Sequence, residues 1–131
     1  MISIIIPLYN KAASVGRTLR AVLAQTYGDF EVIVVDDGST DRGADVVRSV
    51  SDGRIRLVQQ ANGGVSAARN RGVREARGEF VAFLDADDEW QPDYLETQHR
   101  LTQRYPQCAV FATSYAIRPA GGEDAPAVLR R

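Results

Sequence analysis

Short apolar runs alternate along this chain with stretches whose apolar residues recur at helical spacing. Ile2 to Pro7 is an Ile-rich run of strand length. From about Ala12 to Ala24, Val15, Leu19, Val22 and Leu23 mark one face of a helix. Phe30 to Val35 predicts a second strand. Asp41 suits the cap of a helix through about Ser49, with Ala44, Val47 and Val50 inward. Ile55 to Val58, flanked by Arg54 and Arg56, predicts a shorter third strand near a sheet edge. A helix from Gly64 to Ala76 follows, with Val65, Ala68, Val73 and Ala76 on one face and Gly78 as its C-terminal cap. Phe80 to Leu84 predicts a fourth strand, buried in a parallel sheet. Pro92 suits the first turn of a helix to about Arg104, and Cys108 to Ala116 is a candidate last strand. From Arg118 the alternation stops, and Pro119 to Pro126 has the composition of a linker.

This alternation predicts an α/β fold, an open and mostly parallel sheet with helices on both faces. It covers residues 1–117 as one domain, with a linker-like tail over 118–131. Two of the strands end in acids. The second runs into Asp36 and Asp37, and the fourth into Asp85, Asp87 and Asp88. They converge only if the first strand lies between those two, in the order 3-2-1-4. The loop Leu8-Tyr9-Asn10-Lys11 then sits at the switch point, where open α/β sheets take their ligands, and the geometry is that of a nucleotide site. Carboxylates held close together repel unless a cation joins them, so Asp85 and Asp87 suggest a divalent-metal site; a solvated acidic turn is the alternative. No G-x-G-x-x-G follows the first strand, and no G-x-x-x-x-G-K-[ST] occurs at all. Diphosphate charge must be met in another way, and Mg²⁺ or Mn²⁺ bridging carboxylate and phosphate oxygens would meet it.

A net charge of -1 gives no general pull towards nucleic acid. The longest apolar runs are of strand length, so a transmembrane helix is not expected, and the N-terminus lacks the features of a signal peptide. Cys108, the single cysteine, excludes an intramolecular disulfide and reads as a packed thiol. A cytoplasmic setting is the expectation.

Several longer pieces narrow the reading. Ile4-Ile5-Ile6-Pro7-Leu8-Tyr9-Asn10 is followed by Gln25-Thr26-Tyr27 and then Val35-Asp36-Asp37-Gly38-Ser39-Thr40-Asp41. Asn62-Gly63-Gly64-Val65-Ser66-Ala67-Ala68-Arg69-Asn70 comes next, then Gly78-Glu79-Phe80-Val81-Ala82-Phe83-Leu84-Asp85-Ala86-Asp87-Asp88, and finally Pro92. In this order, over nearly everything from Ile2 to about Ala116, the chain resembles the donor-binding half of the family 2 glycosyltransferases, which share the Rossmann-like GT-A fold. The resemblance implies inverting transfer of a sugar from a nucleotide-diphosphate sugar, UDP-linked, to a glycan or lipid-linked acceptor. It implies work in polysaccharide or cell-envelope glycan synthesis, at the inner face of the membrane in a full-length protein. By the same resemblance Asp37 receives the base or ribose, and Pro7 and Tyr9 frame the base. Asp85 holds the ribose or metal, Asp87 the metal directly, and the divalent cation is Mn²⁺ or Mg²⁺. Arg69 reaches uracil, phosphate or Asp85, and Gly64 lets the backbone approach the nucleotide. Tyr9 as a packed aromatic, Arg69 in a surface ion pair and Asp36 in turn chemistry are the alternatives. Asp88 and Glu89 receive no catalytic role, and Trp90 is expected to pack under the acidic turn.

Members of the family usually continue well beyond this length, and the added part carries the acceptor surface and the general base. The chain therefore reads as an N-terminal segment with its base beyond Arg131, inactive in transfer by itself. Asp41, Asp88 and Glu89 are the residues to suspect otherwise. A non-catalytic nucleotide-binding or interaction module is the alternative. A nucleotidyltransferase is disfavoured, since the Gly-rich, Arg-containing loop of that family is absent after the first strand. Self-association through an exposed sheet edge stays open.

Overall fold

The computed structural model describes residues 1–114, 116–117 and 125–126. The strands β1 (Ile2–Leu8), β2 (Phe30–Asp37), β3 (Ile55–Gln60) and β4 (Phe80–Phe83) form one parallel sheet in the order β3-β2-β1-β4. This is the order that convergence of the acids requires. The helices α1 (Val15–Leu23), α2 (Gly43–Ser49), α3 (Val65–Glu75) and α4 (Tyr94–Arg104) follow the strands in turn. The chain divides into two compact units, Met1–Thr97 and Gln98–Arg131, and the whole parallel sheet lies in the first. In the second, β5 (Ala116–Ile117) and β6 (Ala125–Pro126) pair antiparallel. No described helix is long and apolar enough to cross a membrane.

Alternation along the central strands supplies two cores. Ile4, Ile6, Leu8, Val32 and Val34 face Val15, Leu19 and Val22 of α1, Val47 of α2 and Leu95 of α4. Ile33 and Val35 face the other way, against Ala68 of α3. Covering on both faces is why β1 and β2 are apolar almost without interruption.

The contact on the α3 side is unusually close. Ala68 and Gly72 are the buried residues of α3, whereas Val65 and Val73, expected inward, are exposed. A Cβ on Gly72 would lie 2.3 Å from Cγ2 of Ile5. Small residues let the helix backbone rest on the sheet, and the valines fall on its flanks. Gly78 does not cap this helix. The cap is Ala76, in extended backbone. Gly78 is small because a Cβ would come within 2.7 Å of the Met1 carbonyl oxygen, and its N–H donates to Oγ of Ser3 at 2.8 Å.

Three further expectations are corrected. The strand β4 is an edge strand, and Val81 and Phe83 are exposed on it, because α3 packs over β1 and β2 instead. Residues 108–114 form no strand; Val110 is 82% exposed, and a strand forms only where a partner takes up its backbone bonds. Cys108 is exposed, not packed.

The N-terminal end of the sheet is held by Glu31. Its Oε1 accepts from Oγ of Ser3 and the backbone N–H of Arg77, both at 2.7 Å, and Arg56 pairs with its Oε2 at 3.3 Å. Burial pushes the Glu31 carboxyl up, but these donors outweigh it and leave the pKa below its ordinary value. Arg56 also donates to the carbonyl of Glu75, which ties the end of α3 to the sheet at 2.7 Å.

Replacing Gly72 tests the close contact. Alanine raises helix propensity by about 1 kcal/mol, but the steric conflict with Ile5 costs about 1–3 kcal/mol. Gly72→Ala should therefore lower the urea midpoint of unfolding. A midpoint equal to or above wild type would show that the helix stands further off the sheet.

Candidate nucleotide-binding site

The C-terminal ends of β1, β2 and β4 open into a cleft of about 440 Å³. Pro7, Tyr9, Asp37, Gly64, Asp85 and Asp87 all line it. Tyr9 is 49% exposed, so it is not a packed aromatic.

Asp37 is 3% exposed and fully engaged. Its Oδ1 accepts from Nε2 of Gln60 and the N–H of Gly63, and its Oδ2 accepts from the N–H of Gly64, each at 2.8 Å. Burial raises the pKa of such a carboxyl, yet the three donors outweigh burial and hold it below its ordinary value. Gly64 sits at φ 90°, a region that side chains disfavour, which lets its N–H turn towards Asp37. The neighbouring acid does other work: Asp36 accepts from the N–H of Ser39 and from Nε2 of Gln59, both at 3.0 Å, which is turn chemistry.

The loop after β1 is latched to the loop after β2. Asn10, itself at φ 51°, accepts through Oδ1 from the N–H groups of Thr40 at 2.8 Å and Asp41 at 3.2 Å. Asp41 replies through Oδ2, accepting from the N–H of Ala12 at 2.8 Å, while its Oδ1 takes the N–H of Gly43. Both oxygens of Asp41 are thus committed to loop backbone.

The acidic turn after β4 is shaped by α1. Ser14 and Thr18 donate to the carbonyls of Ala86 and Asp88 at 2.9 and 2.8 Å, and Arg17 pairs with Glu89 at 2.6 Å. Gln25, buried, donates to the carbonyl of Gln91 and accepts from the N–H of Leu95, fixing the path into α4. Trp90 packs against the core beneath and stacks on Tyr94, with ring centroids 4.4 Å apart.

The remaining acids face side-chain cations. Arg69 donates from Nη2 to Oδ1 of Asp85, and Lys11 donates from Nζ to Oδ2 of Asp87, both at 2.7 Å. Arg69 does not line the cleft and reaches it only through Asp85. The hydrogen bond to Asp87, and then its charge, raise the pKa of Lys11. Asp88 is also pushed up, by desolvation first and then by Asp87 and Asp85. The sequence reading missed Asn10 and Lys11 as site residues. Their only signal was position, in the loop at the switch point.

No group of three or more His, Cys, Asp or Glu side chains is arranged to hold a metal among the described residues. The carboxylates of Asp85 and Asp87 are of the ligand type that divalent cations take. Mg²⁺ in particular is commonly held by one or two carboxylates, with substrate phosphates completing its shell.

The sequence model described as Glycosyl transferase family 2 matches residues 3–129. The chain belongs to glycosyl transferase family 2. An uncharacterized glycosyltransferase of Nostoc sp. is 47% identical to this family 2 chain over 126 residues, 94% of the chain and 38% of that protein. Among solved structures, Staphylococcus aureus TarS 1-349 in complex with UDP-GlcNAc superposes with a TM-score of 0.76 at 31% identity, over 80% of this chain and 32% of that one. The mannosyltransferase PcManGT of Pyrobaculum calidifontis, in complex with GDP-Man and Mn²⁺, gives a TM-score of 0.73 at 27% identity, over 90% and 35%. The fold is therefore GT-A, and the chain spans well under half the length of each of these proteins.

Asp37 generates a prediction with a pH signature. Asp37→Ala deprives three part-buried hydrogen bonds of their acceptor and should cost about 1–3 kcal/mol. Because the folded pKa is lowered from the ordinary carboxylate value, the stabilisation is fully present above that ordinary value and fades as pH falls through the lowered one. Urea unfolding of wild type and variant should differ by a constant amount at neutral pH, and the gap should close in strong acid. A pH-independent gap would mean that the charge of Asp37 does not hold the loop.

Proposed function

We propose that this chain is the donor-binding part of an inverting glycosyltransferase that takes a UDP-linked sugar, with Mn²⁺ or Mg²⁺ at Asp85 and Asp87. The observation that carries the reading is the convergence of Asp37, Asp85 and Asp87 with Pro7 and Tyr9 at the sheet's switch point. The UDP-GlcNAc complex of TarS supports uridine as the nucleoside.

Pro7 and exposed Tyr9 frame the base, and the loop clamped by Asp37 presents the Gly64 backbone to the nucleotide. Asp85, held by Arg69, takes the ribose side. In the transfer an acceptor hydroxyl oxygen bonds to the anomeric carbon, and the bond from that carbon to the diphosphate breaks. The electron pair leaves with the nucleoside diphosphate. A divalent cation, when bound, supplies neutralisation of the charge that builds on the diphosphate. The hydroxyl proton must pass to a base on the face opposite the leaving group.

Asp85 and Asp87 lie on the leaving-group side in this reading. Asp41 is bonded to backbone and Glu89 to Arg17. We assign the base and the glycan or lipid-linked acceptor surface to none of these residues, in a protein of cytoplasmic setting. Asp88 is the acid left without such a commitment among these candidates, and it is the residue to test first if transfer is found.

Two outcomes check the proposal. In calorimetric titrations Mn²⁺ should tighten UDP binding by about 5- to 150-fold, the usual span of coupling between two ligands. Asp87→Ala should reduce that gain to about twofold or less, because it deletes a charged oxygen facing the diphosphate. Equal coupling in the variant would leave Asp87 in an ordinary acidic turn. The second outcome concerns transfer: loss of a positioned base costs about 10²–10⁴-fold in rate, so UDP release from UDP-sugars should not rise when acceptors are added. Acceptor-stimulated release at ordinary enzyme rates would place a base within residues 1–131.

A further inference from the structure

The geometry points to Lys11 as a resident counter-cation of the acidic wall, which yields Asp87 to an incoming divalent ion and turns to the diphosphate of the donor. This rests on the nucleotide-sugar reading of the cleft.

The first support is position. Nζ of Lys11 is 2.7 Å from Oδ2 of Asp87, and Lys11 lines the same cleft as Asp87. Both side chains are about half exposed, at 47% and 45%. Exposed pairs of this kind are weak and exchange partners readily.

The second support is that the root of Lys11 is fixed. Asn10 on one side is bonded to Thr40 and Asp41, and Ala12 on the other to Asp41. The carbonyl of Lys11 accepts from the N–H groups of Ser14 and Val15 at the start of α1. The side chain can therefore swing while its attachment stays in place.

The third support is the contrast between the two ion pairs. Arg69 holds Asp85 with its Nε out of water and without a hydrogen-bond partner, and its guanidinium lies 6.0 Å from the Phe83 ring centroid. Lys11 has no such enclosure. Asp85 is as exposed as Asp87, at 49% against 45%, so the contrast lies in the cations: Nε of Arg69 is out of water, whereas the Lys11 ammonium is a flexible point charge that can leave Asp87. Asp85 and Asp88 also act on Lys11 through their charges.

Linkage then sets the signs. Two cations that compete for one carboxylate weaken each other by the same factor. Removing Lys11 should strengthen divalent-ion binding when no nucleotide is present. It should also weaken nucleotide binding when the divalent ion is saturating, because the ammonium released from Asp87 is then lost as a charged donor to phosphate. A lysine with only a structural role would produce neither effect.

The experiment titrates Mn²⁺ by paramagnetic resonance into wild type, Lys11→Met and Lys11→Arg without nucleotide. It also titrates UDP by calorimetry at saturating Mn²⁺, with circular dichroism confirming the fold. Lys11→Met should bind Mn²⁺ about two- to fivefold tighter and UDP about three- to tenfold weaker. Lys11→Arg keeps the charge and should follow wild type in both. Unchanged or weaker Mn²⁺ binding in folded Lys11→Met, beside a wild type that binds Mn²⁺ and UDP, overturns this inference alone. So does an arginine variant that behaves like the methionine one. A wild type that binds neither ligand overturns the nucleotide-site reading and this inference with it.

Discussion

A carboxylate taken out of water at the end of β2 governs the shape of the site. Burial of Asp37 is costly unless protein donors replace its water, and three of them do. For Gln60 to reach it, β3 must end level with β2, and Asp37 and Gln60 are indeed register partners. For Gly63 and Gly64 to reach it, the chain must turn at once, with Gly64 in left-handed backbone. The helix α3 begins at the next residue. The seat of Ala68 and Gly72 on the sheet, and the placing of Arg69 beside Asp85, follow from that turn.

The acids around the cleft divide by the kind of partner they have. Asp36, Asp37 and Asp41 accept from backbone N–H groups and so build loops. Asp85 and Asp87 are paired with the cations Arg69 and Lys11. Backbone donors cannot leave without unfolding a loop, whereas side-chain cations can. The charges free to respond to a ligand are thus separated from those that hold the scaffold. A further division runs along the sheet: at its opposite end, Glu31 fastens Ser3, Arg56 and Arg77, and nothing in that network faces the cleft.

The helix α1 shows how one element serves two ends. Its apolar residues Val15, Leu19 and Val22 enter the core, while Ser14, Arg17 and Thr18 hold the acidic turn. The turn is therefore positioned by the same packing that covers β1.

Apolar runs ending in acids, with helices between them, were enough to determine the parallel sheet, its order and the side on which the cleft opens. Those features depend on periodicity and on chain connections, which are local or topological. The seats of Val65 and Val73, the half-uncovered β4 and the missing strand over 108–114 were not legible. Burial depends on which neighbour covers a residue, and periodicity names a face without naming its cover. Gly72 and Gly78 read as a helix interior and a cap, but both answer to β1, far away in sequence. The same holds for charge. The sequence by itself determined which acids stand at the strand ends. Only the tertiary structure decided that Asp37 would be bound by backbone and Asp87 by Lys11, because those partners come from distant segments that meet only when the sheet forms.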